Sequence, residues 1–460
     1  MTTLVGLDVG TTGVKALAIS PDGEVLASAE EGYPLSTPQP GWAEQEPDDW
    51  LRASEVALAR LGVESPLLGF SGQMHGLVCL DEQGRVLRPA ILWNDQRTAA
   101  ECAEIEERVG LERLIALTGF TAPKLLWLRR HEPAIYERVH RVVLPKDYVR
   151  LRLTGEWAID AADASGTLLF DVAGRRWSDE VLSALELPPE WLPPVSESTE
   201  IAGAGDQQAA ALGVGVLEPG SVSVVLGTSG VVLAALPGYA HDVRARVHAF
   251  CHAAPETWEA MGVMLNAAGS LRWFRDALAP GVGFDELTAE AAASPPGADG
   301  VLFLPYLQGE RTPHADPDAR GAFVGLSLQH GRGALVRAVL EGVAYGLRDS
   351  LELLRELGVS PTDGRASGGG ARSRLWLEIV ASALGLPLEL TAVDEGSAYG
   401  AALLAGVQGG VFGDAREAVA RCVEVRDRVE PRGDWADAYA EGYARFRALY
   451  PALRRVEDDA

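Results

Sequence analysis

Leu4-Val5-Gly6-Leu7-Asp8-Val9-Gly10-Thr11-Thr12-Gly13-Val14-Lys15-Ala16-Leu17-Ala18-Ile19 decides how the rest of the chain is read. Two apolar runs flank a Gly-Thr-Thr-Gly turn, which predicts a β-hairpin with a tight tip. The pattern returns in the second half, where Ser223-Val224-Val225-Leu226 turns through Gly227-Thr228-Ser229-Gly230 into Val231-Val232-Leu233. Glycines let backbone N–H groups converge on an anion with no Cβ in the way, and Thr or Ser hydroxyls add donors, so each tip can hold a phosphate. A phosphate tip in each half predicts two similar domains facing one nucleotide.

The 460-residue length fits two domains, each with a sizeable core. A formal charge of −25, from 65 acidic against 40 basic residues, repels nucleic acid and anionic membrane surfaces. Cys79, Cys102, Cys251 and Cys422 show no CxxC or metal-ligand spacing and read as reduced apolar residues of a cytoplasmic protein. The chain enters a strand at once, without a basic stretch and apolar run, and no segment approaches about 18 uninterrupted apolar residues, so a soluble, unexported protein is expected.

Strand-like runs (65–71 and 76–80) alternate with helical ones such as the charged stretch from Thr98 to Leu117, predicting an α/β architecture. Leu187-Pro188-Pro189-Glu190-Trp191-Leu192-Pro193-Pro194 interrupts regular structure. The domain junction is expected shortly after it, dividing the chain into 1–214 and 215–460. A long helix is predicted over roughly 333–357 and a charged, aromatic peripheral helix from about Val425.

Asp8 lies inside an apolar strand just before the first tip. A carboxylate there is costly to desolvate unless a cation or donors compensate it, which suits Mg²⁺ beside phosphates, bound directly or through water, or a hydrogen-bonded structural Asp. Lys15, beyond the tip, reads equally as a phosphate contact or a solvent-face cation. Ser71-Gly72-Gln73-Met74-His75-Gly76 packs an amide, a thioether and an imidazole into a glycine-bounded turn, a composition suited to a polyhydroxylated ligand. Ile91-Leu92-Trp93-Asn94-Asp95-Gln96-Arg97 adds an aromatic face and polar groups, with an N-terminal cap for the following helix as the structural alternative. In Gly203-Ala204-Gly205-Asp206-Gln207-Gln208, Asp206 starts a small-residue helix and reads either as a general base or as that helix's N-cap. Gly368-Gly369-Gly370 before a helix from about residue 375 lets a flat ligand such as adenine lie against bare backbone. The Glu395-Gly396-Ser397-Ala398-Tyr399-Gly400-Ala401-Ala402 run reads as a tightly packed structural helix.

As an ordered set these residues resemble the FGGY family of carbohydrate kinases, and within it the branch acting on D-xylulose. The resemblance rests on Asp8-Val9-Gly10-Thr11-Thr12, Gly72-Gln73-Met74-His75-Gly76, Leu92-Trp93-Asn94-Asp95-Gln96-Arg97, Gly205-Asp206-Gln207, Gly227-Thr228-Ser229-Gly230 and Gly368-Gly369-Gly370, in family order. Gly119 to Leu128, with Lys124, is similar to the family's first signature, and Gly321 to Leu326 through Arg337 to Glu341 to its second. It implies two ribonuclease H-like domains of the actin/hexokinase/Hsp70 type closing on a cleft that holds ATP, Mg²⁺ and a sugar. Asp206 would be the base, and Asp8 would organise Mg²⁺ and phosphates. Gln73, Met74, His75, Trp93, Asn94, Asp95, Arg97 and Gln207 would lie by the sugar. Thr11, Thr12, Lys15, Gly227, Thr228 and Ser229 would face phosphates, and Gly369, Gly370 and Arg374 the adenosine. The implied reaction is transfer to O5 of D-xylulose, with ribulose, gluconate or glycerol as alternative substrates; a homodimer is compatible with it.

Two departures stand out. The family usually has a helix and an apolar strand between the Ser-Glu-rich turn (Ser196 to Glu200) and Gly203, whereas here only Ile201-Ala202 intervene. If the chain truly lacks the strand before Asp206, the placement of that residue is in doubt and a non-catalytic actin-like ATP or sugar sensor is favoured. Ala334 also replaces a polar or acidic residue of the second signature.

Overall fold

The computed structural model of the protein describes residues 2–110 and 116–458. Both glycine-tipped segments are hairpins, and each nucleates a sheet of the same topology. In the first, β1 (Leu4–Val9) pairs antiparallel with β2 (Gly13–Ile19), which pairs with β3 (Val25–Gly32). On the other side of β1 run two parallel strands, β4 (Leu67–Gly72) and β5 (Gly203–Gly205), giving the order β5-β4-β1-β2-β3. β1 is apolar nearly throughout because both faces of this sheet are covered.

The second sheet comprises β6 (Ser221–Leu226), β7 (Gly230–Leu236), β8 (His248–Cys251), β9 (Trp258–Met264), β10 (Asp363–Ser367), β11 (Leu388–Thr391) and β12 (Val425–Val429). Their order is β8-β9-β7-β6-β10-β11-β12. Without the edges β8 and β12 it repeats the first sheet: a hairpin, a third antiparallel strand beyond it, and two parallel strands on the other side. The fold is thus the two-domain actin/hexokinase type.

Each domain has its own core. Val5, Leu7 and Val9 pack with Trp50 and Phe70 in the first, and Val222, Val224 and Leu226 pack with Leu340, Val343 and Leu347 of the long helix Arg332–Glu356 in the second. The helix expected from Thr98 runs over Ala99–Val109, and residues 111–115 of that stretch lie outside the described residues. Ala334 is buried in the first turn of the long helix. The tail from Val425 does not begin as a helix: β12 first closes the sheet edge against β11, and the helix spans Ala436–Asp458.

The strand left in question before Asp206 is present. A one-turn helix, Ser198–Ile201, held by a Glu197/Glu200 capping box, ends at Ala202, whose φ of 47° reverses the chain. β5 then pairs in register with β4, Gly203 opposite Phe70 and Gly205 opposite Gly72. The short connection therefore still delivers Asp206 to the edge of the first sheet, at the start of helix Asp206–Gly213.

One element of the second half returns to the first. Helix Gly396–Gln408 lies between the first sheet and helix Asp206–Gly213. Its approach depends on absent side chains: a Cβ on Gly6 would sit 1.8 Å from Ala398 O, and one on Gly400 1.8 Å from Ala209 O.

Candidate active site

The first tip is braced from behind. Gly10 N–H donates to Gly13 O at 3.0 Å to close the turn. Gln73 Nε2 donates to Gly10 O at 3.2 Å and Gln45 Nε2 to Thr11 O at 2.7 Å. Tyr33 OH also donates to Gly10 O, and Trp93 Nε1 donates to Thr11 Oγ1 at 3.0 Å. The tip's carbonyls are drawn into the protein, while the N–H groups of Thr11 and Thr12 have no backbone acceptor among the described residues. An anion is what such a face accepts. Gln73 and Trp93, read from sequence as sugar ligands, are thus tied to the phosphate tip.

The second tip is stapled to the start of helix Ala268–Leu278. Ala267 N–H donates to Thr228 O and Ala268 N–H to Gly227 O, both at 2.8 Å. The glycine run lies directly on this tip: a Cβ on Gly368 (φ 86°) would meet Leu226 C at 2.8 Å, and one on Gly370 would meet Leu226 Cβ at 2.9 Å. Gly369 is exposed, with nothing within 4 Å of where its Cβ would be. Thr228, Ser229 and Gly369 therefore form one open surface, whereas Arg374 points outward to Asp427 at 3.0 Å and Glu378 at 3.4 Å.

Asp8 faces Lys15 across β1 and β2 and Ser71 across β1 and β4. Its Oδ2 accepts from Ser397 Oγ at 2.7 Å, while Oδ1 is shielded and has no partner. Burial pushes its carboxyl up from the ordinary carboxylate value, against the pull of the Ser397 hydrogen bond. Lys15 does not fill the gap, because Glu395 and Glu30 hold its ammonium. Ser397 and Glu395 come from the helix start read as purely structural.

Asp206 is the first residue of its helix and not the cap, which is Gly205. Gln207 Nε2 donates to its Oδ1 at 3.3 Å. Burial first, and the neighbouring Asp8 second, push the Asp206 carboxyl up to about 7. A carboxyl there is half-ionised near neutrality, the range that general-base chemistry uses.

Beside it lies the Met74–His75 turn. A Cβ on Gly205 would sit 2.8 Å from Met74 Cγ, so only glycine lets Met74 abut the Asp206 helix start. His75, at φ 69°, sets Nδ1 2.7 Å from Gly166 O, which makes Nδ1 the donor and leaves Nε2 an acceptor. Burial holds the imidazole neutral, well below its ordinary range. Lys124 Nζ fixes the turn from below, donating to His75 O at 2.8 Å and Gly119 O at 2.7 Å. Phe120 stands edge-on to His75 at 4.5 Å, and His248 of the second domain continues this wall 5.7 Å from Phe120.

Asp95 and Arg97 have a different employment from the one expected. Asp95 Oδ2 accepts from Ala43 N–H and from Arg97 Nη2, both at 2.7 Å. Arg97 also pairs with Glu44 at 2.8 Å and lies 3.6 Å over the Trp42 ring, so the two brace the pocket wall rather than offer free groups. Asn94 keeps a shielded Oδ1 with no partner.

The residues fit a phosphate-bound divalent cation. Asp8 offers an unpartnered oxygen, Asp206 is disturbed by Asp8, and among the described residues no cluster of three or more His, Cys, Asp or Glu forms a protein-only metal cage. Mg²⁺ suits one or two carboxylates completed by phosphate oxygens.

Duplicated sheets, each built around a hairpin with a Gly-Thr tip, define the actin/hexokinase class of ATP-dependent phosphotransferases. Within that class the chain belongs to the FGGY family of carbohydrate kinases, whose N-terminal domain matches residues 3–237 and whose C-terminal domain matches 222–409. The xylulose kinase of Escherichia coli (strain K12) is 44% identical over 431 residues, 87% of this chain and 89% of that protein. The crystal structure of a "xyloylose kinase" from Brucella ovis superposes with a TM-score of 0.92 at 40% identity, over 99% of this chain and 100% of that one. The ligand-bound xylulose kinase of Lactobacillus acidophilus gives 0.93 at 25% identity, over 99% of both.

Proposed function

We propose that the enzyme transfers the γ-phosphoryl group of MgATP to O5 of D-xylulose, with Asp206 as general base. The observation that carries this is the position of Asp206: a carboxyl poised near 7, free of a capping role, beside the Met74–His75 turn and close enough to Asp8 to be disturbed by it. As O5 attacks the γ-phosphorus, Asp206 accepts its proton and the bond to the ADP oxygen breaks in line. Thr11, Thr12, Thr228 and Ser229 hold phosphates from the two domains, and Gly369 borders the adenosine. Gln73 and Trp93 set the first tip, while Met74, His75 and Asn94 line the sugar side. Mg²⁺, held by Asp8 directly or through water, would neutralise charge on the β- and γ-phosphates. A cytoplasmic location and a homodimeric assembly belong to the same proposal. Among the described residues no helix is long and apolar enough to cross a membrane.

ADP release measured with MgATP against D-xylulose, L-xylulose, ribulose, gluconate and glycerol tests the substrate. Selective turnover of D-xylulose is expected; hydrolysis independent of sugar, or preference for another sugar, overturns the assignment.

The pH profile follows from Asp206. With nucleotide held below its KM, kcat/KM is expected to be flat above about pH 7 and to fall about tenfold per pH unit below it, as the base is protonated. A profile still flat at pH 5.5 removes Asp206 from the role.

A further inference from the structure

The loop that holds Arg311 is fixed more firmly than a connecting loop requires. Arg311 N–H and Leu265 N–H both donate to Glu310 Oε1, at 2.8 and 2.9 Å. Thr312 N–H donates to Val263 O at 3.0 Å, and Thr312 Oγ1 accepts from Val263 N–H at 3.0 Å and donates to Arg246 O at 2.8 Å. Val263 in turn belongs to the same apolar cluster as Met74 and Phe120. The second domain thus fixes the Arg311 loop to a strand that shares an apolar cluster with Met74 and Phe120 of the first.

The guanidinium fixed in this way makes no hydrogen bond or ion pair among the described residues. Its neighbour Glu310 offsets it only in part, because that carboxylate turns to backbone N–H groups and burial pushes it up to about 8. Arg311 is half-buried, and its charge is felt by His75 and His248. Asp206 is disturbed by Asp8, and Arg311 is not among the groups that act on it. An arginine cannot shed its charge, and a desolvated cation without a partner is costly unless a ligand supplies the acceptor.

The chemistry of the substrate says which acceptor stands there. In a 2-ketopentose, O5 closes onto C2 to form the furanose ring. A kinase acting on O5 must therefore take the open chain, whose C2 carbonyl lies at the end remote from the attacking hydroxyl. We infer that Arg311 is a specificity-determining residue that donates to the C2 carbonyl oxygen of the open-chain ketose, opposite the His75 acceptor. This rests on the proposed reading of the site as a D-xylulose O5 kinase. In this role Arg311 separates ketoses from the corresponding pentitols, which lack the carbonyl acceptor.

Arg311→Met and Arg311→Lys test this, with D-xylulose compared against xylitol and D-arabinitol. For Arg311→Met, kcat/KM for D-xylulose is expected to fall at least about 30-fold, mainly through KM, and for the pentitols less than about threefold. The KM for MgATP and sugar-free hydrolysis should stay unchanged, and Arg311→Lys should recover part of the ketose preference. Equal losses on ketose and pentitol, or a raised KM for MgATP, overturn the assignment and leave the substrate reading intact. Absence of D-xylulose turnover in the unaltered enzyme overturns both. If Arg311→Met does not fold, as judged by its thermal transition, Arg311→Lys decides alone: an undiminished ratio of ketose to pentitol turnover sinks the role.

Discussion

Asp206→Asn is expected to slow phosphoryl transfer at least about 10³-fold while leaving D-xylulose affinity within about tenfold of the parent. The asparagine keeps the shape of the side chain and its contact with Gln207, but it cannot take the proton from O5. The base acts as the proton moves, so its loss falls on kcat rather than on binding. The substitution should also raise Tm. Asp206 is pushed up to about 7 by burial and by Asp8, so the fold disfavours its charged form. The stability associated with its proton is present below the unfolded carboxyl range and is lost as pH rises through the folded value. The Tm advantage of Asp206→Asn should accordingly be absent below about pH 4, grow towards pH 7 and level off above it. Calorimetry across that range, run beside the transfer assay, separates the roles. A variant that loses Tm at pH 8 shows Asp206 to be a structural member of its helix start, and one that keeps activity shows that the base lies elsewhere.

What the sequence disclosed followed from which physical signal each part carries. The two hairpins were legible because apolar strands and glycine tips are local patterns, and their parallel neighbours followed from the α/β alternation. β5 was not legible, since Gly203-Ala204-Gly205 contains no β-branched or aromatic residue and becomes a strand only by pairing with β4. Comparison with a longer family pattern then suggested a missing strand, while the chain closes the gap with one helical turn and a left-handed Ala202. β12 escaped for a similar reason: its charged residues suit an exposed edge and read as a tail. Asp95 and Arg97 looked like ligand groups because composition does not reveal that residues two apart can satisfy each other. Ser397 was hidden among small residues whose evident purpose is close packing, and only the return of its helix beneath the first sheet places it on Asp8. Arg311 carried no local signal, since its significance depends on which wall the second domain turns towards the first.

That returning helix supplies the second large effect. Gly400→Ala is expected to destabilise the protein by about 3 kcal/mol or more and to lower kcat with it. On an exposed helix the same change would stabilise by up to about 1 kcal/mol, because alanine favours the helix. Here the new methyl would lie 1.8 Å from Ala209 O and 2.7 Å from Ala209 C, backbone atoms that no rotamer change can move aside. Nor can the helix retreat, since on its other side Ala398 O and Ala401 O already occupy the space that Cβ atoms on Gly6 and Gly69 would take. The displacement must therefore pass into helix Asp206–Gly213, whose first residue is the proposed base. A shift of about 1 Å in a catalytic group costs up to about 100-fold in rate, so the loss of kcat should exceed that explained by the unfolded fraction. Gly433→Ala is the control, since its Cβ would meet nothing within 4 Å, and it should leave both stability and rate nearly unchanged. Denaturant unfolding together with kcat measured well below the transition checks the prediction. Unchanged stability in Gly400→Ala would mean that the two helices can separate without cost, and that Asp206 is not held in place by the helix returning from the second half.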